Sequence, residues 1–85
     1  MAKQMEFYDE ELSRTYRQIQ ELLSTDPANP RLDQLFLTCG AYIEQMQREA
    51  NRMSHGAEKK QWKEILMFRS ETFRQLQRTV HEVNF

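Results

Sequence analysis

Apolar residues recur along this chain at alternating steps of three and four. Between Lys3 and Ser24 they fall at Met5, Tyr8, Leu12, Ile19 and Leu22, with Thr15 at the remaining position of the series. From Pro30 to Ser54 the series is Leu32, Phe36, Cys39, Ile43, Met46, Ala50 and Met53. The last stretch carries Trp62, Leu66, Arg69, Phe73, Leu76, Val80 and Val83. Steps of three and four return to one face of a helix with about 3.6 residues per turn. A strand would need period two in Val- and Ile-rich runs, and none is present. The pattern predicts helices over about residues 3–24, 30–54 and 57–83.

The breaks between the stripes have their own chemistry. In "STDPANP", Pro27 and Pro30 each follow a polar residue able to turn or cap the backbone, so the first helix ends there. Asn29 is the expected N-cap of the second helix, with Pro30 at the first helical position, where its missing N–H has no intrahelical partner to lose. Gly56, in "MSHGAE", is expected just past the end of the second helix in the left-handed conformation that suits glycine. Glu6, Asp9, Glu10 and Glu11 are expected in the first turns of the first helix, where the helix dipole favours negative charge. Gly40, inside the second stripe, costs about 1 kcal/mol relative to alanine and predicts the close approach of a neighbouring helix.

Three helices of similar length joined by short turns must run antiparallel to their neighbours. The expected fold is therefore all-α, an up-down-up three-helix bundle forming a single domain over residues 1–85, with one core made where the stripes meet. A chain of this size buries only about 60% of the surface it exposes when unfolded, which makes its stability marginal, on the order of 5 kcal/mol.

Several apolar residues lie off the stripes. Tyr16, Leu23, Leu35, Tyr42 and Ile65 sit close enough to widen the core-facing side. Leu37, Met67 and Phe68 do not, because Met67 and Phe68 cannot both share the side taken by Leu66 and Phe73. They are expected to form a docking patch bordered by charges such as Lys63 and Glu71. Arg69 interrupts the third stripe. Its stem should pack while its head reaches the bundle edge, to water or to a carboxylate such as Glu44 or Glu49; alternatively it sets register or partner choice.

Composition narrows the functional classes. The chain is 39% hydrophobic and 29% charged with only two glycines and two prolines, a profile for folding rather than disorder. Its net charge of −1 conceals opposite signs: residues 1–24 carry five acidic and three basic side chains, residues 57–83 six basic and four acidic. Opposed segments can favour docking, though exposed pairs contribute little. Lys59, Lys60 and Lys63 are the one basic cluster, flanked by Glu58 and Glu64, which argues against nucleic acid. Cys39 has no partner for an internal disulfide, and the first thirty residues contain no signal core, so a reducing, cytoplasmic compartment is expected. No apolar run is long enough for a membrane span.

Candidate chemistry is sparse. His55 and His81 have no ligand-spaced neighbours, Cys39 lies within an apolar stripe, and the chain has no glycine-rich phosphate loop or nucleophile motif. Neither an enzyme nor a cofactor is expected.

The segments "FYDEEL", "STDPANP", "IEQMQREA" and "EKKQWKEIL" together resemble the N-terminal three-helix domain of the Qb-type vesicle-transport SNAREs. That resemblance implies a regulatory or partner-recruiting domain that a SNARE motif and membrane anchor would follow. "RMSHGAEKKQWKE" with "SETFRQLQRTVHEV" is similar to the helical hairpin of small co-chaperones that hold needle subunits in bacterial type III secretion. That similarity implies a cytosolic chaperone for an aggregation-prone secreted subunit. Both readings, and the bare pattern, converge on a helical module that binds an amphipathic helix of a partner protein, at a surface that includes Leu37, Lys63, Met67, Phe68, Arg69 and Glu71. A third expectation is a homodimer that completes its core by self-association.

Overall fold

A computed structural model describes residues 2–83; Met1, Asn84 and Phe85, which the single-domain reading takes in, lie outside the described residues. Helices α1 (Ala2–Thr25), α2 (Arg31–Arg52) and α3 (Ala57–Val83) follow one another with short turns and form an antiparallel three-helix bundle. Among the described residues there are no strands. The molecule measures 44 × 19 × 15 Å, close to the length of its longest helix.

The stripes meet as their spacing requires. Met5, Leu12 and Ile19 from α1 join Leu32, Cys39, Ile43, Met46 and Ala50 from α2 and Leu66 and Leu76 from α3 in one core. Tyr16 is buried with them, and Leu23, Leu35 and Tyr42 pack against the core, so these off-stripe residues widen the apolar faces, whereas Ile65 is half-buried outside it beside Asp9, Phe68 and Arg69. The stripe of α3 fades at its end, where Val83 is half exposed. Every buried side-chain nitrogen or oxygen among the described residues has a hydrogen-bond partner. Thr15, at the polar step of the first stripe, donates to the carbonyl of Glu11 at 2.8 Å.

The first turn carries out the expected capping. The Asn29 side-chain oxygen accepts the Arg31 N–H at 2.8 Å, and the Asn29 carbonyl accepts from Leu32 at 3.1 Å. Pro30 already has helical dihedrals of −64° and −18°, so Asn29 caps and proline opens the helix although regular hydrogen bonding starts at Arg31.

Four local expectations are corrected. The second helix stops at Arg52 rather than 54, and Met53 leaves it in an extended conformation (φ −67°, ψ 148°). Gly56 therefore has no left-handed role: no described glycine has positive φ. Its carbonyl instead accepts the Lys60 N–H at 3.2 Å and opens α3, another place where glycine is tolerated. The first turn of α1 contains no acidic residue, because the helix begins at Ala2. The carboxylates from Glu6 onward lie beyond the reach of the dipole, and Glu11 pairs with Arg14 at 3.1 Å. Arg69, finally, takes neither Glu44 nor Glu49. Those carboxylates hold Arg48 (2.7 Å) and Arg52 (3.4 Å) within their own helix, and Arg69 crosses to Asp9 on α1.

Candidate protein-docking surface

A broad apolar opening lies between the N-terminal half of α2 and the C-terminal half of α3. Phe36 and Phe73 meet there edge to face, with centroids 5.8 Å apart and planes at 67°, a favoured aromatic geometry. Gly40 and Ala41 supply almost no side-chain bulk beside them, which leaves a groove of about 860 Å³ that Val80 also lines. A β-carbon added to Gly40 would stand 3.9 Å from the tip of Phe73, in ordinary contact. No neighbouring helix therefore approaches closely enough to require glycine at position 40, contrary to the expectation from sequence. Leu37 stands on the rim with 69% of its surface exposed, and Asp33, Glu44 and His81 supply polar edges.

A second hollow continues along the same two helices toward the α2–α3 turn. Gln47, Ala50 and Asn51 of α2 face Lys63, Leu66 and Met67 of α3 there. Met67 is 70% exposed on its border. Phe68, 67% exposed, belongs to the other side of α3, where it joins Ile65 and Arg69 opposite Asp9 of α1. Successive helix positions diverge by about 100°, and that rotation sends the two neighbours into different seams.

The six residues singled out from sequence consequently do not form one patch. Leu37, Lys63 and Met67 share the α2–α3 side, while Phe68 and Arg69 line the α1–α3 seam. Glu71 is exposed beside Arg74, 3.8 Å away. Arg69 is engaged within the chain, with both oxygens of Asp9 and, through its carbonyl, with the Tyr16 hydroxyl. Sequence reading missed Phe36, Phe73 and Val80 as groove walls because they belong to the core stripes and contribute only their outer edges to the groove. It also passed over Phe7, which is 55% exposed at the start of α1 beside Tyr8.

Burial shifts two ionisable groups of the core. Burial pushes the Cys39 thiol up to about 12, so the nucleophilic thiolate is scarce at neutral pH. Burial, followed by the nearby Cys39, also raises the Tyr16 hydroxyl above its ordinary range. Among the described residues, no three of the His, Cys, Asp and Glu side chains gather where they could hold a metal ion. No described helix is long and apolar enough to cross a membrane. Compared with known proteins, the chain matches no protein family, no curated protein and no solved structure.

Proposed function

We propose that this chain is a non-enzymatic interaction module that takes an amphipathic helix of a partner protein into the groove between α2 and α3. The observation that carries the reading is Leu37, a large apolar side chain left 69% exposed beside the Phe36–Phe73 pair where Gly40 and Ala41 leave room. A helix laid in such a groove inserts apolar residues at positions i, i+3 or i+4 and i+7, burying surface that the bundle alone leaves wet. Asp33 on the border, where Glu44 is already paired with Arg48, favours a partner with a basic residue flanking its apolar stripe.

Two biological settings suit this module: partner recruitment in SNARE-dependent vesicle transport, and the cytosolic holding of a type III secretion subunit. In either case the bound element is a helix. The test is a photo-crosslinking residue placed at position 37, with a second at Gln18, exposed on α1, as the control. Crosslinking in the source cell from position 37 alone to a helical segment of another protein supports the reading, and the identity of that protein separates the settings. Products from both positions equally, or from neither, refute it. Crosslinking only to a second copy replaces it with self-association.

A further inference from the structure

We infer that α3 is a strap that lifts off the α1–α2 hairpin as a unit, with the Asp9–Arg69 pair as its latch. The inference requires no partner, although α3 is also one wall of the docking groove, which its lifting would dismantle. The largest fully buried side chains, Met5, Leu12, Ile19, Cys39 and Met46, all belong to α1 and α2. Although α3 is the longest helix at 27 residues, it buries only Leu66 and Leu76, which keep 6% and 8% exposure. The α1–α2 interface is the most extensive of the three and the α1–α3 interface the least. Apolar burial therefore holds the hairpin together and secures the third helix less firmly.

Polar contacts bridge the weak seam at one point. Arg69 Nε and one terminal nitrogen donate to the two Asp9 oxygens at 2.8 and 3.3 Å, and the Tyr16 hydroxyl donates to the Arg69 carbonyl at 2.7 Å. A fork of charge-assisted bonds from a single α3 residue is directional and is lost together when that residue moves away. The connection to α2 allows such movement. Met53 is extended, and Gly56 has nothing within 4 Å of the position its β-carbon would occupy. Rotation about residues 53–56 would carry α3 outward without breaking the α1–α2 hairpin. Opening would return Asp9 and Arg69 to water and uncover the layer beneath, where Cys39 lies fully buried close enough to Tyr16 to influence its ionisation.

Cys39 is the chain's one cysteine and so a built-in reporter of opening. The experiment labels it in the intact protein with an aryl disulfide reagent at increasing urea, alongside the equilibrium urea melt and residue-resolved hydrogen exchange. The expected labelling rate rises with urea at roughly half the slope of the melt, because only part of the surface is exposed. Amides of α3 should exchange together and faster than those of α1 and α2. Asp9→Asn keeps the side-chain shape but removes its charge, and should speed labelling and α3 exchange about tenfold while leaving α1 and α2 unchanged. A labelling slope equal to that of the melt, or one common exchange rate in all three helices, overturns the strap. Unchanged α3 exchange in Asp9→Asn overturns the latch.

Discussion

Arg69 on α3 and Asp9 on α1, sixty positions apart in sequence, are joined by two hydrogen bonds across the sparsest interface of the bundle. Their side chains keep 25% and 23% exposure, so the pair is neither a surface ion pair nor a fully desolvated one. Removing either partner leaves the other charge in a half-dry seam. Asp9→Ala and Arg69→Ala should each cost about 1–2 kcal/mol, with a coupling of about 1 kcal/mol in the double-mutant cycle. Urea melts of the four proteins measure it; strictly additive losses would show that the two residues act separately.

Gly40 offers a gain. Its backbone has ordinary helical dihedrals, and an added methyl would only touch Phe73. Gly40→Ala should raise stability by about 0.5–1 kcal/mol through helix propensity and a less flexible unfolded chain.

Core and surface apolar residues should separate cleanly under mutation. Leu12 is fully buried, and Leu12→Ala should cost about 2–5 kcal/mol. Met67→Lys and Phe68→Lys alter side chains that already face water and should change stability by less than about 0.5 kcal/mol each. Collapse of either surface variant in a thermal melt would place that side chain in the core.

Alkaline pH should weaken the fold through two buried acids. Unfolded, Cys39 ionises near its ordinary value of 9.0; folded, burial holds it protonated up to about 12. The unfolded state therefore releases the proton first, and stability that is complete below pH 9.0 falls as pH rises toward about 12. Tyr16, also raised by burial, adds to the loss above its ordinary value of 10.0. Urea midpoints followed from about pH 8 to about pH 11 should decline less steeply in Cys39→Ala, and its slope should match wild type only if the thiol is exposed.

The architecture was legible because each apolar stripe has to be covered, and with only short turns between them three such stripes cover one another. Boundaries were legible where the chemistry is local, as at Asn29 and Pro30. Tertiary choices were not. Glu44 and Glu49 looked available to Arg69 but are claimed by arginines three and four residues further along the same helix, where the pairing needs no long-range folding. Asp9 comes within reach only because α1 and α3 run in the same direction. Gly56 misled because glycine is favourable at either end of a helix, and here it opens the following helix rather than closing the preceding one. Adjacent exposed residues suggested one patch at Met67 and Phe68, yet helical rotation assigns them to separate seams. The groove beside Leu37 depends on the lack of bulk at Gly40 and Ala41, and such space is visible only once Phe36 and Phe73 are placed.

An odd number of helices also determines where the polypeptide can be joined to anything else. Because direction reverses at residues 26–30 and again at 53–56, positions 2 and 83 sit on opposite tips of a rod 44 Å long. Cargo tethered at one tip is held a full molecular length from cargo tethered at the other, whereas an even-numbered bundle would bring both tethers together.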